Sequence, residues 1–245
     1  MSYWRWFWFW VRSWVLAGWL CGFVMAQESI SDEKPIIPKP ALKFGLGFLG
    51  ITYHGDLNAN EEYWHRFYPG ANLSLQFNSI RRFSPQINIG FSKIIVQDRT
   101  LPGNGQTPNN FVETPFFWGN VLLKCRIPKV GRFRPHIAPG IGLIGFSPKD
   151  VVGNNLTSNQ QTRTAGESYS TTVLYFPINI GFELKLNRFA AIGLDYYRFN
   201  MMTDYFDNIG KLGTKNGNDK LEGLQFTVFW MWDYQKMKFG RDRRL

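Results

Sequence analysis

FPINIGFELKLNRFAAIGLDYYRFNMMTD, residues 176–204, decides the fold. Phe176, Ile178, Ile180, Phe182, Leu184 and Leu186 are apolar, and Pro177, Asn179, Gly181, Glu183 and Lys185 stand between them. After Asn187-Arg188 the alternation resumes, with Ile192, Leu194 and Tyr196 set against Gly193, Asp195 and Tyr197. A period of two puts successive side chains on opposite faces of a strand. The stretch therefore predicts two strands joined by a tight turn, each with one apolar and one polar face. Each strand is about ten residues or longer, long for a soluble sheet and suited to a tilted strand that crosses a bilayer.

Outward from this hairpin the same pattern predicts eight strands, at 43–54, 70–80, 85–97, 115–128, 134–146, 172–186, 189–202 and 221–234. Their connections alternate in length. Gly55–Pro69, Asp98–Thr114, Ser147–Thr171 and Thr203–Lys220 are long, whereas Arg81–Ser84, Lys129–Phe133 and Asn187–Arg188 are short. Long outer loops, short periplasmic turns and an even strand count are the habit of outer-membrane barrels. The expected fold class is therefore all-β, an eight-stranded antiparallel up-and-down transmembrane β-barrel of the outer-membrane type, with both termini periplasmic.

A soluble eight-stranded barrel would turn its apolar face inward. The polar face argues against that. It carries Gly45, Gly47, Asn72, Ser74, Gln76, Asn88, Asn120, Gly142 and Asn179, small and amide side chains that suit a narrow lumen. A water-facing surface would hold more Lys and Glu. The opposite face, with Leu73, Phe77, Ile89, Phe91, Val121, Leu143 and Phe226, suits lipid. Aromatics are expected to form girdles at the two interfaces. Tyr53, Phe116, Phe117 and Tyr175 fall near the outer rim. Phe44, Phe133, Phe189, Trp230, Trp232 and Tyr234 fall near the periplasmic one.

Residues 1–26 read as a signal peptide. Arg5 and Arg12 form its basic start, Ser13–Ala26 its short apolar run, and Val24-Met25-Ala26 its cleavage site. Residues 27–42 read as a proline-bearing lead segment, 43–234 as the barrel and 235–245 as a basic tail. Cleavage removes two basic residues and takes the net charge from +10 to +8. It also leaves Cys125 alone, so no internal disulfide forms.

The chemistry-bearing residues gather on the polar face. Lys124, Arg126, His136, Glu183, Lys185 and Asp233, with Asp195 deeper, are expected to pair and plug the lumen. His54, His65 and His136 have no second His or Cys at metal-ligand spacing, so neither metal nor cofactor is expected. A lipid-modifying barrel enzyme would need Ser, His and an acid at the outer rim. His54 and His65 with Asp56, Glu61 and Glu62 are the only approach to it, and no catalytic residue is assigned. In the tail, Lys236, Lys238, Arg241, Arg243 and Arg244 suit lipid phosphate or an acidic periplasmic partner. Outer-membrane lipid is the expected surrounding, and nucleic acid is excluded by location.

Three segments carry a family resemblance. Gly55-Asp56-Leu57-Asn58, then Phe133-Arg134-Pro135-His136 leading to Gly140-Ile141-Gly142 and Phe146-Ser147-Pro148-Lys149, then the long run from Pro177 through Thr203-Asp204-Tyr205-Phe206-Asp207-Asn208-Ile209 together resemble the PorG-like outer-membrane barrels of the type IX secretion system. The resemblance implies a structural component rather than an enzyme. It also implies contact with a periplasmic ring built from a lipoprotein and a soluble ring protein, with the short turns and the tail as the contact surfaces. The chain departs from the usual barrel in one respect: its last strand ends near Trp232 or Tyr234 and a tail follows, which leaves the aromatic assembly signal internal.

Overall fold

In the computed structural model the described residues are 41–55, 66–78, 82–97, 111–128, 132–158, 163, 166–187, 189–209 and 217–233. Eight strands run through them: β1 Ala41–His54, β2 Tyr68–Asn78, β3 Phe83–Gln97, β4 Phe111–Arg126, β5 Phe133–Phe146, β6 Thr172–Lys185, β7 Ala190–Met201 and β8 Lys220–Asp233. Each pairs antiparallel with its neighbour in sequence, and β1 pairs with β8 to close the barrel. The closing seam is full length, from Ala41↔Asp233 to His54↔Lys220. Closure leaves no strand edge, which backbone polar groups in lipid require.

Strand positions follow the alternation, with two local differences. The fourth strand starts at Phe111 rather than 115, because the β3–β4 ladder continues to Gln97↔Phe111. Proline usually marks a strand's end, but here Pro115 sits inside the ladder opposite Lys93. The turn after β6 is also wider than Asn187–Arg188. It spans 186–189, and Asn187 Oδ1 accepts the amides of Phe189 (2.7 Å) and Ala190 (2.9 Å). An Asn side chain substitutes there for a backbone turn. Arg188 lies outside the described residues.

The faces are sorted as an inside-out protein. Phe91, Ile89 and Phe117 are 67, 57 and 66% exposed, while the interleaved Asn88 and Asn120 are buried. In water so wide an apolar belt would drive association; facing acyl chains it is the favourable arrangement. The short-turn rim has its aromatics outside, as expected: Phe44, Phe133, Phe189, Trp230 and Trp232 are all exposed. Tyr234 lies outside the described residues. The long-loop rim is corrected. Phe117 is on the exterior, but Tyr53, Phe116 and Tyr175 are buried within the barrel. Parity is the reason, since Phe116 shares a strand face with Trp118 and Asn120, both buried.

The lumen is therefore filled in two layers. Polar and charged side chains occupy the short-turn half. Ile51, Tyr53, Ile94, Phe116, Trp118, Ile144, Tyr175, Tyr197, Phe199 and Leu221 build an apolar core in the long-loop half.

Candidate functional site

The charged layer centres on Glu183. Lys43 Nζ donates to its Oε2 at 2.5 Å and Lys124 Nζ donates to its Oε1 at 2.9 Å, all three side chains being almost fully buried. Both ammonium groups also sit over the Phe229 ring, 5.6 and 5.3 Å from its centroid. Gly45 makes room for that ring: a Cβ there would lie 2.8 Å from Phe229 Cδ1. One layer deeper, His136 Nε2 and Asp195 Oδ1 are 2.6 Å apart and buried. Gly181 opens this position, since a Cβ would lie 2.4 Å from Asp195 Oδ1. Charges held this way are satisfied inside a low-dielectric wall, and losing one partner would strand the others.

A run of amides links this layer to the apolar core. Gln86 Nε2 donates to Asn88 Oδ1 (2.7 Å), Asn88 Nδ2 to Asn120 Oδ1 (2.8 Å), and Asn120 Nδ2 to the Tyr175 hydroxyl (2.8 Å). The relay crosses from β3 through β4 to β6. It satisfies polar groups that lipid outside the wall would leave unpaired.

Above the core, the segment after β7 forms a cap. Phe206 is fully buried, its ring 5.9 Å from Tyr53, 5.2 Å from Phe116 and 5.0 Å from Phe146. The backbone is pinned from several strands. Thr114 Oγ1 donates to the Phe206 carbonyl (2.9 Å), the Phe206 amide donates to Asp219 Oδ2 (2.9 Å), and the Asp219 amide donates to the Thr203 carbonyl (2.9 Å). Asn208 takes φ +65°, the left-handed region that Asn tolerates better than most residues. Its Oδ1 accepts from the Tyr169 hydroxyl at 2.8 Å. Tyr53 donates to Asp219 Oδ1 at 2.7 Å, and Asp207 is a second hydrogen-bond partner of the same hydroxyl. Burial, and then the charge of Asp207, raise the Asp219 carboxyl well above the ordinary carboxylate range. One phenol has one proton to give to two carboxylates, so the arrangement favours a protonated member.

Of the residues expected to plug the lumen, Lys124 and Glu183 meet directly, and so do His136 and Asp195. Arg126 and Lys185 are half-buried at the short-turn mouth, Arg126 within electrostatic reach of Glu183. The Asp233 side chain and the tail residues Lys236, Lys238, Arg241, Arg243 and Arg244 lie outside the described residues. So do His65, Asp56, Glu61 and Glu62. His54 Nε2 is 3.8 Å from Glu222 Oε2, a carboxylate that Tyr196 (2.6 Å) and Arg198 (3.3 Å) also engage. Lys43 was missed, although it shares the face of Gly45 and Gly47 and its parity alone would have found it. Tyr53 and the cap were missed for a different reason. Alternation describes strands, and the cap is a loop that folds back into the lumen. No group of three or more His, Cys, Asp or Glu residues is placed to hold a metal among the described residues.

Solved structures share the architecture. Neisserial surface protein A matches with a TM-score of 0.50 at 11% identity, covering 78% of this chain and 97% of that one. Ail, the attachment invasion locus protein of Yersinia pestis, matches at 0.48 and 8%, covering 79% and 99%. OprG of Pseudomonas aeruginosa matches at 0.43 and 10%, covering 79% and 95%. No protein-family model and no curated protein matches the sequence. At this identity the likeness shows the fold, that of small outer-membrane barrels.

Proposed function

We propose that this chain is a structural outer-membrane component of a type IX secretion system, contacting the periplasmic ring of the apparatus through its short turns and basic tail. The filled lumen carries the reading. With Lys43, Lys124 and Glu183 closing one half and Phe206 seated in an apolar core in the other, the working surfaces left are the exterior and the two mouths. The resemblance supplies the choice among structural roles. Two of its three segments meet in the cap, where Phe146 of one packs on Phe206 of the other. Under this reading both termini are periplasmic, residues 1–26 direct export, and the protein is not an enzyme.

The test is in-cell cross-linking followed by mild-detergent capture of the tagged barrel, read by mass spectrometry. Recovery of a periplasmic lipoprotein and a soluble ring protein in similar amounts, with a secretion defect on deletion, is the expected result. Capture of the barrel alone, with secretion intact in the deletion strain, overturns the reading.

A second reading, a small barrel that binds through its outer loops, has one observation in its favour. The β5–β6 connection is ordered at its tip, where Asp150 accepts the amides of Val152 (2.9 Å) and Asn154 (2.8 Å). Val151 and Val152 stand there 76 and 80% exposed. Loss of surface binding in V151S/V152S, with secretion unaffected, would favour it.

A further inference from the structure

One strand of the wall is held less completely than the others. Six of the eight seams run without a gap through their paired residues. Both seams of β5 are interrupted. Its ladder with β4 stops at Leu122↔Gly140 and resumes at Cys125↔Ile137. Its ladder with β6 stops at Pro139↔Ile178 and resumes at Gly142↔Tyr175. Proline is the cause on both sides, because it has no N–H to give. The Ile127 amide donates to the Pro135 carbonyl, so odd-numbered residues of β5 turn their backbone groups to β4. Pro139 therefore gives the Leu123 carbonyl no amide, and the Cys125 thiol, a weak donor, approaches that carbonyl at 3.7 Å. The Lys185 amide donates to the Arg132 carbonyl, so odd-numbered residues of β6 face β5, and Pro177 gives the Gly140 carbonyl no amide. Pro85 and Pro115 leave the β3–β4 ladder intact, because their nitrogens face the other neighbour.

The two missing rungs lie at one level of β5, inside the lipid-facing belt, where Ile141 and Ile180 are 50 and 52% exposed. Hydrocarbon offers no water to replace a backbone bond, so intact rungs are what keeps such a wall shut. Parting β5 from its neighbours here forfeits fewer bonds than parting any other strand. The wall is also thin at this level. Gly140 and Gly142 bring no side chain inward, and Leu122 and Tyr175 pack straight onto their backbone. A Cβ at Gly140 would lie 2.6 Å from Leu122 Cδ2, and one at Gly142 would lie 2.6 Å from Tyr175 Cε1. Both side chains are fully buried. Apolar surface in the lumen is thus divided from lipid by one incompletely bonded strand. We propose that β5 is a lateral opening in the wall, through which an acyl chain of the surrounding lipid enters and packs against Leu122 and Tyr175. The chain matches both sides of the opening, being hydrocarbon outside and meeting an apolar side chain and an aromatic ring within.

The full-length protein would be reconstituted in nanodiscs of phosphatidylcholine whose acyl chain carries a diazirine. After photolysis and digestion, tandem mass spectrometry locates the lipid adducts. Ile141 faces lipid whether or not the wall opens, so its labelling is the internal standard. In the wild-type protein Leu122 and Tyr175 are expected to be labelled as well, although a closed wall would shield both. P139V/P177V supplies the two missing amides and should lower interior labelling, relative to Ile141, by about fivefold or more, the worth of one restored hydrogen bond. P115V leaves both interruptions in place and should label as the wild type does. Gel mobility before and after heating selects folded protein in every case, and P139V alone is read in the same way if the double variant does not fold. Labelling of Ile141 without Leu122 or Tyr175 in the folded wild-type protein overturns the proposal. So does undiminished interior labelling in the folded proline variant.

Discussion

Replacing Glu183 by glutamine tests the interior most severely. The amide keeps the shape of the carboxyl group but removes the charge that Lys43 and Lys124 share in direct contact. Both ammonium groups then face each other, buried, across a neutral side chain. Breaking a buried ion pair from one side costs about 3–5 kcal/mol. The protein has one escape, which is to deprotonate a lysine. From an ordinary lysine pKa that costs about 4.6 kcal/mol at pH 7, so the penalty cannot much exceed this value. The assay is urea unfolding in lipid vesicles, followed by tryptophan fluorescence and by heat-modifiable gel mobility. E183Q is expected to lose about 3–5 kcal/mol at pH 7. K43M/K124M/E183L, which removes all three charges and keeps the bulk, should recover most of it, because apolar replacement of a whole buried network is often neutral or stabilising. A loss in E183Q below about 1 kcal/mol, the range of exposed pairs, would refute the reasoning. It would mean that water reaches the three side chains and that this half of the lumen is open.

Other consequences can be read separately. Ile180 is 52% exposed on the lipid face, and Ile180→Arg should cost about 2–4 kcal/mol near mid-bilayer; an unchanged urea midpoint would contradict the outward assignment. Gly223 pairs with Ile51 across the closing seam, and an added Cβ there would lie 1.9 Å from the Gly50 carbonyl oxygen. Gly223→Ala should therefore lower the folded fraction, at a cost of about 1–3 kcal/mol or more for backbone crowding, and wild-type folding yield would show a looser seam. The cap should depend on pH. The Asp219 carboxyl is raised by burial and by Asp207, so its contribution is complete below the ordinary carboxylate pKa and fades as pH rises through the raised value. Exchange of the Phe206 amide, which donates to Asp219, should quicken towards alkaline pH beyond its intrinsic rate. Asp219→Asn should flatten that excess; an identical excess in the variant would contradict the assignment.

The sequence made the strands legible because their faces meet opposite solvents. Ile180 and Gly181 are sorted by lipid on one side and crowding on the other, so the period of two runs almost unbroken through β6 and β7. The partners His136 and Asp195 were legible for the same reason, being polar residues on a face that could only look inward. Contacts between distant strands were less legible. Lys43 and Glu183 are 140 residues apart, and parity names their shared face without naming the pair. Least legible was the apolar half of the lumen. Phe116 and Tyr175 read as rim aromatics because an aromatic near a strand end suits an interface equally well. Strand parity places both inside, and Phe116 is then covered by Phe206, delivered by a loop whose sequence has no period to read.

The most direct test of the inside-out barrel is spin-label accessibility along β3 in a Cys125→Ser background reconstituted in lipid vesicles. Labels at 87, 89 and 91 are expected to collide with oxygen, which concentrates in acyl chains, and to be shielded from a water-soluble nickel complex. A label at 88 should be shielded from both, because Asn88 is buried in the filled lumen. High nickel access at 87, 89 and 91, or no alternation between 88 and its neighbours, would contradict the account.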